Sequence, residues 1–95
     1  MFVVVYRWKL IPGREDEFRE AWQALTDMYI QLRGQQDGKL RHVEADIWEA
    51  EATWMDQDSY LMAHERGILD PDLANRMNAA IKEPLEPEFR HIDAH

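Results

Sequence analysis

The first 22 residues constrain the fold most strongly. Residues 2–10 form a run of β-branched and aromatic side chains, which ends at Pro12-Gly13, and an acidic amphipathic segment follows at once. Because side chains alternate across a strand, one face of this run carries Phe2, Val4, Tyr6, Trp8 and Leu10. Val3 and Val5 make the start of the other face apolar as well. A strand of this kind is normally covered on both faces, so we expect a sheet with two covered faces.

Length and composition restrict the classes of function. The chain has 95 residues, which predicts a single domain over 1–95, and 45% of them are hydrophobic. The formal net charge of −8 opposes binding to nucleic acid or to an anionic membrane, because both need a basic surface. No apolar run approaches the roughly 18 residues of a membrane span. Arg7 and Lys9 interrupt the only candidate signal peptide, so we expect a cytoplasmic protein.

A long amphipathic helix is predicted from Arg14 to Leu32. Three acidic residues stand in its first turn, where the helix dipole favours anions, and Gly34 follows its end. Its apolar residues recur at helical spacing: Phe18, Ala21, Trp22, Leu25, Met28, Tyr29 and Leu32. This stripe predicts that the helix packs on the sheet.

Two strands are predicted next, over Lys39–Glu44 and Ile47–Trp54, with Ala45-Asp46 at the turn. The polar residues before Lys39 are interpreted as a loop. One face of the second strand carries Trp48, Ala50, Ala52 and Trp54, and the opposite face carries Glu49, Glu51 and Thr53. Because small residues separate the two tryptophans, we expect space beside them.

Two shorter helices and a last strand complete the pattern. Asp56 predicts the cap of one helix, and Asp70-Pro71 predicts the start of another, which ends at Pro84. Residues 85–95 predict an irregular or edge strand, because a proline and several charges interrupt them. The order β-α-β-β-α-(α)-β is that of a ferredoxin-like α+β domain with an antiparallel sheet.

This order of elements resembles the antibiotic biosynthesis monooxygenase (ABM) domain. The resemblance rests on the first strand, the Ile11-Pro12-Gly13 turn, the Glu15-Asp16-Glu17-Phe18 helix start, and a strand that ends in Trp54 before a helix. It covers nearly the whole chain. It implies a homodimer in which the sheets of two copies pack together as a dimeric α+β barrel. Members include small monooxygenases that oxidise aromatic quinols or anthrones without metal or flavin, and enzymes that degrade haem.

Individual residues follow the anthrone-oxidising members in part. Trp54 and Tyr60 match a tryptophan at the end of the third strand and a tyrosine six positions later, and Arg76 lies near the position of an arginine in the third helix. Those members have an asparagine four positions before the tryptophan, where this chain has Ala50. The haem-degrading members use an asparagine on the first strand, where this chain has Tyr6, so haem degradation is not expected.

Two functions are consistent with these residues. The first is a cofactor-independent monooxygenase acting on a hydroxylated aromatic such as a quinol or an anthrone. Its candidate catalytic residues are His64 as base and Tyr60 and Arg76 as polar contacts, and its candidate substrate-binding residues are Trp54, Tyr6, Trp8 and Trp48. The second is a non-catalytic dimeric protein that binds a small aromatic or apolar ligand, or whose cavity is filled by side chains.

Each candidate residue also has a purely structural interpretation. Trp54 and Tyr60 are residue types that commonly pack in a core, as are the aromatic residues of the first strand. His64 can serve as a hydrogen-bonded core histidine. Arg76 can be a solvated helix charge. Only the arrangement in space distinguishes these interpretations from catalytic or binding roles.

We expect no cofactor and no metal. With no cysteine, thiolate metal sites and disulfides are excluded, and the chain has no Gly-rich phosphate loop. The alternation His91-x-Asp93-x-His95 would place three metal ligands on one face of a strand, but it lies at the extreme terminus, and we expect no native metal site there.

Overall fold

The computed structural model describes residues 1–92, which form five strands and three helices. An antiparallel sheet has the strand order β2-β3-β1, and β4 and β5 pair one after the other with the remaining edge of β1. This ferredoxin-like α+β arrangement confirms the predicted fold class. The elements are β1 (Phe2–Leu10), α1 (Glu15–Leu32), β2 (Gln35–Glu44), β3 (Ile47–Trp54), α2 (Gln57–Glu65), α3 (Pro71–Ala79), β4 (Ile81–Pro84) and β5 (Glu88–His91).

The helices pack on the face of β1 that carries its even-numbered residues. One part of the core joins Trp8 and Leu10 of β1 to Phe18 and Trp22 of α1. The other part joins residues of β1 and β3 to Ala63 of α2. The even-numbered side chains of β1, which the sequence placed on one face, are therefore the ones that pack into the core.

The opposite face of the sheet, called the outer face below, is held by charged side chains around Glu49. Arg7 and Arg41 stand on either side of Glu49 in the register of β1, β3 and β2. Arg7 Nε and Arg41 Nη2 each lie 2.8 Å from a different carboxylate oxygen of Glu49. Glu49 is only 6% exposed, so its carboxylate is buried between the two arginines.

Val3 and Val5 are buried on this outer face, at 7% and 0% exposure, although no described helix packs there. Their cross-strand neighbours include the long side chains of Glu51, Glu88 and Arg90. Such side chains can cover apolar neighbours with their methylene groups while their charged ends stay in water. The chain therefore covers the apolar part of this face itself.

Two predicted boundaries are wrong. β2 begins at Gln35 rather than at Lys39, because a register shift between Gln35 and Asp37 lets the polar segment pair with β3. α3 ends at Ala79 rather than at Pro84, because the next residues pair with the free edge of β1. The spacing of Met77, Ala80 and Ile81 is compatible with a continued helix and also with a helix that ends before a short edge strand. Local periodicity therefore could not distinguish these two structures.

The last strand is short, as its proline and charges predict. Within residues 85–92, Glu88–His91 form the strand that pairs with β1. Asp93 and His95, which belong to the alternating metal-ligand pattern, lie outside the described residues. No helix within residues 1–92 is long and apolar enough to cross a membrane.

Candidate active site

An open cavity of about 260 Å³ lies between the sheet and the helices. Ala50 and Ala52 of β3 form its floor, where the small side chains leave the space that the sequence predicted. Helix α1 covers the floor from above, and single residues of β2, α2 and α3 complete the walls. The remaining lining residues are Tyr6, Trp8, Trp22, Leu25, Thr26, Tyr29, Gln35, Glu51, Trp54, His64 and Met77. A mainly apolar cavity with a few polar groups is the usual form of a small-molecule site.

The register of the sheet fixes which side chains flank the floor. Tyr6 of β1 stands directly opposite Ala50, and Gln35 of β2 stands directly opposite Trp54. Tyr6 and Trp8 stack with their ring centroids 5.9 Å apart and nearly parallel, at 8°. The floor is therefore bordered by flat aromatic walls on the β1 side and by an amide on the β2 side.

Trp54 ends β3 and packs among aromatic rings. It is 1% exposed, and it meets Tyr29 and Tyr60 edge to face at centroid distances of 6.5 and 5.7 Å. Its indole Nε1 is buried without a hydrogen-bond partner among residues 1–92. A buried donor without a partner is uncommon and costs free energy.

His64 stands at the rim of the cavity on α2. Its Nδ1 lies 2.9 Å from the backbone oxygen of Tyr60, and because a carbonyl can only accept, Nδ1 carries the hydrogen. Nε2 of the neutral ring is therefore free to accept a proton. The ring packs against Tyr60 at 4.3 Å and stacks on Tyr29 at 5.8 Å. These contacts fix the ring while one edge of it remains exposed.

Arg33 anchors the helix that carries His64. Its Nη1 donates to the backbone oxygens of Ala63 at 2.6 Å and of Gly67 at 3.1 Å. A cation is favourable at the C-terminal end of a helix, where carbonyl groups lack partners. At the other end of α2, the Asp56 carboxylate accepts from the backbone N–H of Ser59, as the predicted cap requires. Both ends of α2 are therefore held.

Tyr6 presents a neutral phenol to the cavity. Burial raises the pKa of Tyr6 far above its ordinary value, and the nearby hydroxyls of Tyr60 and Tyr29 raise that pKa further. A phenol that stays protonated cannot act as a base. It can donate a hydrogen bond to an oxygen that becomes negatively charged.

The structure brings together four of the seven predicted site residues. Tyr6, Trp8, Trp54 and His64 line the cavity. Three do not line it, and their positions differ. Tyr60 does not line the cavity itself but packs against two residues that do, Trp54 and His64. Trp48 and Arg76 lie apart from the cavity lining.

Trp48 faces a neighbouring surface groove, with His42 stacked on it at 4.9 Å and the Arg19 guanidinium 5.2 Å from its ring centroid. Arg76 is exposed on α3, and the residue next to it, Met77, lines the cavity in its place. The two residues are neighbours in sequence, but successive residues of a helix face different directions.

Two buried polar residues of the cavity wall were not among the predicted site residues. Thr26 lies on α1 and Gln35 on β2, and each is 7% exposed. Thr26 lies between the apolar residues of α1 and was not singled out from them. Gln35 belongs to a segment that was interpreted as a loop. Neither residue is marked by a local sequence pattern. For Gln35 the reason is that only the pairing of β2 with β3 places it beside Trp54.

Residues 1–92 contain no group of three or more histidine, cysteine, aspartate or glutamate side chains arranged to hold a metal ion.

Comparison with solved structures relates this geometry to a known fold. A candidate antibiotic biosynthesis monooxygenase from Bordetella bronchiseptica superposes with a TM-score of 0.80 at 16% sequence identity, over 97% of this chain and 96% of that one. SnoaB from Streptomyces nogalater, described as a cofactor-independent oxygenase, superposes with a TM-score of 0.73 at 18% identity, over 99% and 94%. The chain has the ABM fold. No protein-family model matches the sequence, and no curated protein matches it.

The ABM fold is shared by proteins with other names. A NIPSNAP domain protein from Burkholderia xenovorans superposes with a TM-score of 0.73 at 16% identity, over 99% of this chain and 96% of that one. Since one fold can support several activities, function has to be argued from the cavity and its side chains. In this chain, β3 supplies the floor of the cavity and α2 supplies a rim residue.

Proposed function

We propose that the protein is a cofactor-independent monooxygenase of a hydroxylated aromatic compound such as a quinol or an anthrone. The observation that carries the proposal is the pairing of a flat, aromatic-walled cavity with a rim histidine whose free nitrogen is Nε2. The description of SnoaB as a cofactor-independent oxygenase supports it at the level of the fold. The identity of the substrate is part of the proposal.

The chemistry begins with removal of a proton. His64 Nε2 accepts the proton of a bound hydroxyl or of an activated ring carbon, which leaves an electron-rich phenolate or enolate. The carbanion carbon of this anion donates electrons to O₂ and forms a C–O bond, and protonation gives a hydroperoxide. Loss of water from the carbon that bears both hydrogen and the hydroperoxy group leaves a carbonyl. One atom of O₂ stays in the product, the other leaves as water, and the substrate supplies all four electrons.

The remaining residues have supporting roles in this proposal. The Tyr6 phenol donates to the developing oxyanion, since its raised pKa keeps it protonated. Trp8 and Trp54 hold the ring flat. Tyr60 positions His64 through its backbone oxygen. Trp48 and Arg76 do not line the cavity, so the proposal gives them no direct contact with the substrate.

A second function, that of a non-catalytic ligand-binding protein, is favoured by one observation. The only arginine proposed for catalysis, Arg76, is exposed and does not line the cavity, and no lysine or arginine among residues 1–92 lines it to stabilise an oxyanion. A binding protein needs only the aromatic walls and the alanine floor. The two functions therefore differ in turnover and not in binding.

The experiment measures oxygen uptake and binding on the same variants. The purified protein is mixed with anthrone and with 1,4-dihydroxynaphthalene, and the uncatalysed oxidation is subtracted. We expect His64→Ala to lower turnover about 10²- to 10⁴-fold, the usual contribution of a general base, with binding almost unchanged. Trp54→Phe is expected to weaken binding. His42→Ala, an exposed histidine outside the cavity lining, serves as the control and should behave as wild type.

The outcomes separate the two functions. Binding without oxygen uptake supports the binding protein. Full activity in His64→Ala removes the proposed base and leaves the cavity assignment intact. Failure of the wild type to bind any aromatic in the panel contradicts both functions.

The homodimer predicted from the sequence stays a proposal. Its support is that no described helix covers the outer face of the sheet, which leaves this face free to pack against a second copy. Light scattering at micromolar concentration tests it. A monomer at that concentration contradicts the dimeric barrel, and the charged side chains around Glu49 then face solvent.

A further inference from the structure

The cavity wall contains a buried amide that the proposed reaction does not use. Gln35 is 7% exposed, lines the cavity, and is the direct cross-strand partner of Trp54. Side chains of such a pair lie on the same face of the sheet and within contact distance. A buried polar side chain on an otherwise apolar wall calls for a hydrogen-bonding explanation.

The amide of Gln35 has a fixed orientation. Its Nε2 donates to the backbone oxygen of Asp37 at 2.9 Å, and this contact identifies the nitrogen because a carbonyl oxygen cannot donate. Gly38 keeps room for it: a Cβ at that position would lie 3.1 Å from Gln35 Nε2 and 2.6 Å from Thr26 Cγ2. The wall therefore holds the nitrogen edge of the amide against β2.

The oxygen edge of the amide is left without a partner. Among residues 1–92 the hydrogen bonds of the Gln35 side chain consist of the one that Nε2 donates, and Oε1 accepts none. Oε1 keeps some surface open to solvent, and Gln35 lines the cavity. An amide oxygen is an acceptor, and a ligand satisfies it by presenting an O–H or N–H group.

Gln35 and Tyr6 stand on opposite sides of the floor. Gln35 is on β2 and Tyr6 is on β1, with Ala50 and Ala52 of β3 between them. Two strand spacings separate the backbones of β1 and β2 by about 10 Å. Their partners on β3, Ala50 and Trp54, are four residues apart, which adds about 13 Å along the strand, so Tyr6 and Gln35 lie on a diagonal across the floor. A flat ligand that lies over the alanines along this diagonal has one end toward the Tyr6 phenol and the other toward the Gln35 amide.

We propose that Gln35 is a specificity-determining residue, which accepts a hydrogen bond from a hydroxyl at the end of the ligand that lies over β2. The proposal rests on the proposed function only in that both place a flat aromatic ligand in this cavity. It narrows the ligand class to aromatics that carry oxygen at both ends, with a free hydroxyl at the end far from Tyr6. A ligand with hydrogen at that position leaves Oε1 unpaired and binds more weakly.

The test compares two probes by calorimetry, without turnover. The probes are 2,6-dihydroxynaphthalene, which has a hydroxyl at each end, and 2-naphthol, which has one. We expect wild type to bind the dihydroxy compound about 2- to 12-fold more tightly, the range of one net hydrogen bond. Gln35→Met, similar in shape but without an acceptor, should abolish the preference. Gln36→Met, at the exposed neighbouring position, is the control.

Each outcome decides the proposal. A preference that survives in Gln35→Met, or is missing from wild type while both probes bind, overturns it. Failure of both probes to bind wild type overturns it together with the ligand cavity. Thermal unfolding of each variant, measured alongside, shows whether Gln35→Met is folded. If Gln35→Met does not fold, loss of the preference in Gln35→Leu supports the proposal and its retention contradicts it. Binding with the expected preference but without oxygen uptake leaves the role of Gln35 intact and contradicts only the monooxygenase.

Discussion

The two faces of the sheet are stabilised by different interactions. On the helix face, large apolar side chains such as Phe18 and Trp54 are almost fully buried, yet a cavity remains above two alanines. On the outer face, Glu49 is buried between Arg7 and Arg41, and the strands are joined by ion pairs. Packing contributes to stability in proportion to buried apolar area, whereas a charged network depends on geometry and on pH.

The difference explains how a small protein can keep an open cavity. A floor of alanines contributes little burial energy, so the three central strands need another constraint on their register. The row formed by Arg7, Glu49 and Arg41 crosses β1, β3 and β2 on the opposite side of that floor. A one-residue slip of β3 would place Glu49 on the helix face, where it would lose both arginines. The outer face thereby helps to hold the shape of the cavity.

The largest expected effect is on the helix face. Phe18→Ala removes a fully buried ring that packs edge to face on Trp8 at 5.0 Å. We expect a loss of about 3–5 kcal/mol in the free energy of unfolding, measured by urea denaturation. Phe89→Ala, at a side chain that is 51% exposed, is the control and should cost far less. Equal losses at the two positions would contradict the core described for this face.

The next effect concerns the outer face. Glu49→Ala leaves Arg7 and Arg41 without the carboxylate they share, and we expect a loss of about 1.5–3 kcal/mol in the free energy of unfolding. Glu44→Ala is the control, since Glu44 is an exposed carboxylate on the neighbouring strand β2. If the two variants are equally stable in urea denaturation, the Glu49 network does not stabilise the fold.

The pH dependence of stability distinguishes the two faces further. Burial alone would raise the pKa of Glu49, but hydrogen bonds and charge from Arg7 and Arg41 outweigh it and leave the pKa below the ordinary value of 4.5. The ionised form is therefore favoured by folding. Its contribution is fully present above pH 4.5 and is lost as the pH falls through the lowered pKa. The free energy of unfolding of wild type, measured by urea denaturation, should therefore fall as the pH drops through the lowered pKa of Glu49. Glu49→Gln should not show this part of the pH dependence.

Sequence reasoning succeeded where a pattern is local and repeated. The alternation of β1, the stripe of α1 and the alanines of β3 predicted the helix face and the space beside Trp54. It failed at Gln35 and at Ile81, where the outcome depends on which strand edge is free to pair. It also gave no sign that Glu49 is buried, because an isolated strand does not reveal that arginines stand on both sides of it. Contacts between distant segments carry the information that was missing.

The smallest expected effect concerns a helix end on the helix face. The Asp70 carboxylate accepts a hydrogen bond from the backbone N–H of Leu73 at 3.1 Å and caps α3, which brings Met77 to the cavity wall. Asp70→Ala should lower the free energy of unfolding by about 1 kcal/mol, and Asp70→Asn, which keeps a capping oxygen, should lower it less. Because α3 contributes one lining residue, we also expect Asp70→Ala to weaken binding of 2,6-dihydroxynaphthalene less than Trp54→Phe does. A stronger effect than that of Trp54→Phe would mean that α3, rather than the end of β3, determines the shape of the cavity.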